Sequence, residues 1–291
     1  MKFVKMHGAG NDYVVIDAWR KAVPRPGALA RRMCDRRFGV GSDGLILLLP
    51  PVKRRAGGAG RADLRMRMFN PDGSEAQMCG NGIRCLGKLA YDLGRVKGRE
   101  FRVETKAGLR RLRLLRTRGR IAWLEVAMGE PILERSAIPV AGGEGPCLGE
   151  RLRVGRRSLT VHCLSVGNPH CVIFTRNLRW RRPLAEFPVT DLGPQVERHP
   201  FFPQRTNVEF VEVASPAHIR VRTWERGAGE TLACGTGAVA AAVAGMLRGW
   251  LKRKVVVEVL GGRLQVRWPE GGEAYLTGPA RTVATGEWLE G

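Results

Sequence analysis

Acidic residues are scarce in this chain, with 27 Asp and Glu against 49 Lys and Arg among 291 residues, a formal net charge of +22. Long apolar runs are missing as well. The most apolar stretch, Ala238 to Leu247, is about half of what spans a bilayer and reads as a buried helix. Met1 to Gly10 sets only Phe3 and Val4 together before Lys5 and His7 interrupt, so no secretory signal is expected there. These absences point to a soluble, cytoplasmic protein with no membrane partner. The seven cysteines (Cys34, Cys79, Cys85, Cys147, Cys163, Cys171 and Cys234) include no pair at zinc-knuckle spacing. Without a secretion signal they are expected to be free thiols, and no structural metal is expected.

The positive charge invites a nucleic-acid reading. Its placement argues otherwise, because arginines alternate with apolar residues in Leu64-Arg65-Met66-Arg67-Met68, Arg111-Leu112-Arg113-Leu114 and His218-Ile219-Arg220-Val221-Arg222. That period of two writes the wet face of half-buried strands. There is neither a zinc-finger spacing nor an aromatic RNA-binding stretch, so no nucleic-acid partner is expected.

What the chain does have is one phrase written twice. Glu75-Ala76-Gln77-Met78-Cys79-Gly80-Asn81-Gly82 and Glu230-Thr231-Leu232-Ala233-Cys234-Gly235-Thr236-Gly237 lie 155 residues apart, and Gly10-Asn11 precedes Gly167-Asn168 by 157. Internal duplication explains both offsets. Each cysteine stands immediately before a Gly-x-Gly turn that opens a helical pattern. The unpaired N–H groups and the positive end of the helix dipole there favour a thiolate.

Strand-like segments are read at Phe3–Met6, Tyr13–Asp17, Leu45–Leu49, Leu64–Phe69, Phe101–Thr105, Leu112–Leu115 and Ala122–Val126 in the first half. Val172–Phe174, Val208–Val213, Ile219–Trp224, Val255–Val259 and Leu264–Trp268 follow in the second. Helices are expected near Leu29–Arg36, Ile83–Leu93 and Ala238–Leu247, and a flexible surface loop at Pro50–Asp63. Many strands around few helices define an α+β protein of two similar domains, each a curved, mostly antiparallel sheet wrapped around a central helix. The boundary is expected near Met128-Gly129-Glu130-Pro131, giving domains of residues 1–128 and 129–276. Gly235-Thr236-Gly237-Ala238-Val239-Ala240 loosely fits a dinucleotide fingerprint, but no βαβ unit precedes it, and NAD is discounted.

Asn70 to Arg84 as a block resembles the signature of the diaminopimelate epimerase family, pyridoxal-independent amino-acid epimerases. His7-Gly8-Ala9-Gly10-Asn11-Asp12, Gly167-Asn168-Pro169-His170, Arg205-Thr206-Asn207-Val208-Glu209-Phe210 and Glu225 to Gly237 resemble further blocks of that family, in its order. The resemblance implies interconversion of LL- and meso-diaminopimelate without cofactor, in lysine and peptidoglycan precursor biosynthesis. It also implies a homodimer and a final segment, 277–291, returning to the first domain.

Inverting a carbon that carries one hydrogen requires an acid and a base on opposite faces. The resemblance gives these roles to Cys79 and Cys234, with His170 and Glu225 setting their protonation. It places Asn11, Asn70, Asn168, Asn207, Glu225 and Arg226 around the substrate, Arg226 as the fork for a distal carboxylate. The helix mouths at Gly80-Asn81 and Gly235-Thr236 would point four backbone N–H groups at the carboxylate beside the reacting carbon. Within parts of the family a glutamine from the turn matching Gly41-Ser42-Asp43-Gly44 joins the site, a contribution Gly44 cannot make. The remaining cysteines read as inert packing. The alternatives weighed are a two-cysteine racemase of proline or hydroxyproline type, whose short substrate has no distal carboxylate for Arg226, and a basic nucleic-acid-binding protein on the same fold.

Overall fold

The structure is a computed structural model that describes residues 1–52, 61–117, 120–178 and 180–289, without the side chains at 116, 117 and 120–122. Most of the loop expected at Pro50–Asp63 falls on residues 53–60, outside the described ones. In chain order the elements are β1 (Lys2–Gly8), β2 (Asn11–Asp17), α1 (Pro26–Cys34), β3 (Leu45–Leu49), β4 (Leu64–Phe69), β5 (Glu75–Ala76), α2 (Gly80–Asp92), β6 (Glu100–Thr105), β7 (Gly108–Thr117) and β8 (Arg120–Gly129). They continue with β9 (Leu148–Val154), β10 (Arg157–Ser165), β11 (Pro169–Phe174), α3 (Val189–Glu197), β12 (Asn207–Ser215), β13 (His218–Glu225), β14 (Gly229–Thr231), α4 (Gly235–Leu247), β15 (Lys254–Val259), β16 (Gly262–Arg267), β17 (Ala274–Pro279) and β18 (Arg281–Glu287). No described helix is long and apolar enough to cross a membrane.

The chain forms two compact units, residues 1–127 with 277–291, and residues 128–276. In the first, strands run β18-β1-β2-β3-β4-β6-β7-β8, antiparallel except for the parallel pairs β2–β3 and β4–β6. In the second the order is β9-β10-β11-β12-β13-β15-β16, with parallel pairs at β11–β12 and β13–β15. From β1 to β7 in the first and from β10 to β16 in the second the connectivity is the same. Both units are α+β, as the strand-rich alternation predicts.

Each sheet is covered on both faces. In the first unit α2 packs on β1, β2, β3, β4 and β7, and α1 lies over β3 and β4. Leu45, Leu47, Val14 and Ile16 meet Leu29, Ala30 and Met33 of α1 in one apolar cluster. A strand sealed on both sides carries no polar alternation, which is why β3 reads Leu-Ile-Leu-Leu-Leu. In the second unit α4 packs on β10, β11, β12, β13, β15 and β16. Its alanines and valines are buried all round. Val189, Leu192 and Val196 of α3 close the other face against Ile173, Val208 and Phe210.

Seven elements have no counterpart in the sequence reading: β5, β9, β10, β14, β17, β18 and α3. α3 carries Gly193-Pro194, a pair that ordinarily breaks a helix, yet Pro194 sits inside it. The hairpin of β9 and β10 is hidden by the basic run Arg151-Leu152-Arg153-Val154-Gly155-Arg156-Arg157, in which Gly155 takes the positive φ of +57° that turns the chain.

Candidate active site

The two cysteine turns have the same construction. Cys79 is the N-cap of α2, with extended φ/ψ, and its Sγ receives the Gly82 N–H at 3.5 Å. Cys234 is the N-cap of α4 and receives the Gly237 N–H at 3.3 Å. Sulfur thus takes the place of the usual Ser or Asp oxygen at the positive end of each helix. Both helices run for 13 residues. Both are stopped by a glycine at positive φ, Gly94 at +68° and Gly249 at +70°.

The strand entering each turn is tied down in the same way. Arg67 forks onto Glu75 at 2.7 and 3.1 Å, and Arg222 onto Glu230 at 2.7 and 2.9 Å. The arginines, the glutamates, the cysteines and the stop glycines all keep the 155-residue offset. The duplication is therefore one of side-chain machinery as well as of fold.

Around this shared frame the two half-sites differ. In the second unit a Cβ on Gly237 would fall 2.5 Å from Glu209 Oε1. Glu209 is fully buried and bonds to His170 Nδ1 at 2.8 Å, while its Oε2 has no partner among the described residues. The Nε2 of His170 faces Asn168 Oδ1 at 3.0 Å, so both ring nitrogens point at oxygens and neither at a sulfur. Glu225 accepts from the Thr231 hydroxyl at 2.5 Å. Burial lifts its carboxyl above the usual range, against the Thr231 hydrogen bond and with the help of Glu209. Burial, and then the Glu225 and Glu209 carboxylates, push the Cys234 thiol well up. The Thr236 hydroxyl lies 3.4 Å from that sulfur.

Asn207 is buried and spent on both ends, donating to Pro169 O at 2.9 Å and accepting from Arg226 N at 2.9 Å. Buried Glu197 holds the same turn by accepting from Trp224 Nε1 at 2.8 Å and Gly227 N at 3.0 Å. The Arg226 side chain is exposed, with Nη1 donating to Gln204 O at 3.1 Å.

In the first unit the position matching Glu209 against the helix mouth is apolar, since a Cβ on Gly82 would lie 2.8 Å from Ile46 Cδ1. The residue two places after Asn11, where the second unit has His170 after Asn168, is Tyr13. Its hydroxyl lies 3.1 Å from Cys79 Sγ. Arg84, 155 residues before Val239, is fully buried with no carboxylate partner among the described residues. Its guanidinium donates to Gly80 O and Asn81 Oδ1, both at 2.8 Å, and to Pro279 O at 3.3 Å. The Asn81 side chain is thereby drawn inward onto Arg84. Asn70 donates to Ser74 Oγ at 2.9 Å and closes a turn. Asn11 ends the Ala9-Gly10 hairpin, half-buried. Gly44 is wedged in, for a Cβ there would meet Phe69 O at 3.0 Å and the Tyr13 ring at 3.6 Å.

The structure thus gathers Cys234, Thr236, Glu225, His170, Asn168, Asn207 and the Arg226 backbone in the second unit. It holds Cys79, Gly80, Asn81, Asn70 and Asn11 in the first. Tyr13, Arg84, Glu197 and Glu209 went unread. Only Glu209 carried a sequence signal, a charge in line with Val211 and Val213 on one face of its strand. The other cysteines are buried and free. Burial pushes Cys85 up to about 12 and raises Cys34 and Cys171. Among the described residues no cluster of three or more His, Cys, Asp or Glu is arranged to hold a metal ion.

Two α+β units, each built on a cysteine-capped helix, define a fold class shared by solved proline-racemase-type and PhzF-type structures. A probable proline racemase from Agrobacterium radiobacter K84, solved with bound carbonate, matches with a TM-score of 0.70 at 18% identity, covering 99% of this chain and 92% of that one. Sequence then gives the family. The diaminopimelate epimerase family model matches residues 3–134 and 162–283. The diaminopimelate epimerases of Moorella thermoacetica and Pelotomaculum thermopropionicum are 51% and 50% identical to the chain over 291 residues, 99% of each partner's length. The chain belongs to the diaminopimelate epimerase family.

Proposed function

We propose that the protein interconverts LL- and meso-diaminopimelate without a cofactor, Cys79 and Cys234 acting as acid and base on opposite faces of one carbon. The observation that carries this reading is the matched pair of thiols, each capping a helix of identical design within a chain of this family. A thiolate on one face takes the α-proton and a thiol on the other delivers one, so the roles exchange with the hand of the substrate. The α-hydrogen beside a carboxylate is only weakly acidic, and negative charge develops on that carboxylate as the proton leaves. The amides opening α2 and α4 are fixed donors for it. Glu225 and His170 supply the polar wall on the Cys234 side. Asn11, Asn70, Asn168, Asn207 and Arg226 serve to recognise the amines and the distal carboxylate. For Arg226 this requires the guanidinium to leave the Gln204 carbonyl when substrate arrives. The same reading makes the protein a cytoplasmic homodimer in the pathway to lysine.

The test is incubation with LL-diaminopimelate in heavy water, followed by chiral separation and mass analysis. The expected product is meso-diaminopimelate carrying one deuterium. Cys79→Ala and Cys234→Ala should each lower turnover by at least about 100-fold with the fold intact, because each removes the proton carrier for one face. Near-normal turnover in either variant would remove the two-thiol assignment.

A further inference from the structure

The two half-sites share a backbone and oppose each other in charge. Below Cys234 the duplicated frame holds Glu209 and Glu225, and the position matching Arg84 is Val239. Below Cys79 it holds a buried Arg84 with no carboxylate partner among the described residues, and the position matching Glu209 is Ile46. The remaining difference lies in direct contact with a sulfur. His170 turns both nitrogens to oxygens, whereas Tyr13 sends its hydroxyl 3.1 Å to Cys79 Sγ.

We infer that Tyr13 is a positioning residue for the reaction: its hydroxyl donates to the Cys79 sulfur and holds it as the resting thiolate, while Cys234 rests as the thiol. The inference deepens the two-thiol reading and rests on it for its catalytic consequence. Tyr13 is suited to donate, because its ring is fully buried and burial, with Cys79 beside it, pushes the phenol well above its usual range. A phenol that stays protonated has a hydrogen to give, and a thiolate accepts it more strongly than a thiol does. The Gly82 N–H supplies a second donor from α2. The other titratable groups bearing on the pair are Arg84 and Cys85 on α2 and Asp43 on the loop before β3. Of these the Arg84 cation favours the thiolate, the burial of Cys85 keeps it neutral, and Asp43 is turned to Asp12 N and Arg36. Among the described residues no phenol hydroxyl bonds the second cysteine. Cys234 has the Gly237 N–H at 3.3 Å and the Thr236 hydroxyl at a longer 3.4 Å, beside two carboxylates that disfavour charge on the sulfur.

Tyr13→Phe keeps the ring and removes only the donor. Each cysteine of the whole protein is alkylated with iodoacetamide across pH 5–10, and its labelling is read separately by peptide mass spectrometry. For Cys79 the midpoint should rise by about one pH unit, with labelling about tenfold slower at neutral pH, while Cys234 does not slow. The acid limb of kcat/KM should move up with it. An unchanged Cys79 profile, or equal slowing of both cysteines, would overturn the inference. If Tyr13→Phe exposes all the thiols by unfolding, 3-fluorotyrosine in place of tyrosine gives the opposite probe. Its stronger donor should speed Cys79 labelling at low pH, and no change there overturns the inference as well. Alkylation reads the sulfur without turnover, so an unchanged profile leaves the epimerase reading standing. Retained turnover in Cys79→Ala would remove that reading without bearing on how Cys79 is alkylated.

Discussion

His162 stands in the core of the second unit with neither ring nitrogen hydrogen-bonded among the described residues. Phe174 and Trp250 meet its ring edge-on, at 5.4 and 6.0 Å between centroids. Burial, with the Arg248 charge adding, lowers it from 6.5 to about 4, so the folded protein keeps it neutral. The unfolded chain takes up the proton first. This residue's stabilising effect is therefore complete above pH 6.5 and is lost as pH falls from there toward 4, by at most about 1.4 kcal/mol per pH unit. Urea unfolding at pH 7.5 and pH 5.0 should show a drop that His162→Leu reduces by about 2 kcal/mol. Parallel loss in both proteins would show that other groups carry the acid sensitivity. Sequence gave no hint of this, since β10 itself went unread. Tyr13 and Arg84 were similarly opaque: a tyrosine in a strand and an arginine on a helix face are ordinary until burial and a sulfur contact are seen.

At the scale of elements, the helix mouths and helix ends make separable demands on glycine. Gly94 and Gly249 need only their positive φ, because nothing lies within 4 Å of a Cβ at either. Gly94→Ala and Gly249→Ala should each cost about 1 kcal/mol and leave activity unchanged. Gly237 sits at a helix mouth with Glu209 Oε1 2.5 Å and Cys234 Cβ 3.2 Å from a Cβ there. Gly237→Ala should therefore displace a buried carboxylate, cost about 1–3 kcal/mol and collapse turnover. Denaturation midpoints and initial rates of the three variants check this, and equal effects at Gly237 and Gly249 would contradict the close packing. The central helices themselves were legible: Ile83, Leu86, Leu89 and Ala90 recur at helical spacing, and the alanine run after Cys234 is apolar all round. The half-wet strands were legible from alternation and β3 from its unbroken leucines. What escaped depended on context. α3 forms around an internal proline because a sheet face is there to be covered, and β18 is a nearly wholly exposed strand that exists because β1 offers its edge.

Among the described residues many of the surplus arginines are engaged. Guanidinium groups stack on aromatic rings, as Arg67 does on Phe69, Arg95 on Trp19 and Arg267 on Tyr275. Others fork onto glutamates across strands. The charge that bears on chemistry is a minority, buried Arg84 in one unit and buried Glu209 with half-buried Glu225 in the other. If that asymmetry leaves a thiolate at Cys79 and a thiol at Cys234, and if both act on one carbon, the closed enzyme must bring the two sulfurs within a few bond lengths. Mild oxidation of such a pair proceeds by attack of one thiolate on its oxidised partner, joining Sγ to Sγ and passing two electrons to the oxidant. Activity should then fall under a mild oxidant, return with a thiol reductant, and be protected by bound diaminopimelate, which separates the sulfurs. The five remaining cysteines are buried and should stay reduced in folded protein. Peptide mapping of the inactivated protein decides the matter. A Cys79–Cys234 bridge supports two thiols facing one substrate, whereas oxidative inactivation with both recovered free, or bridged to other cysteines, would mean that they do not share a carbon.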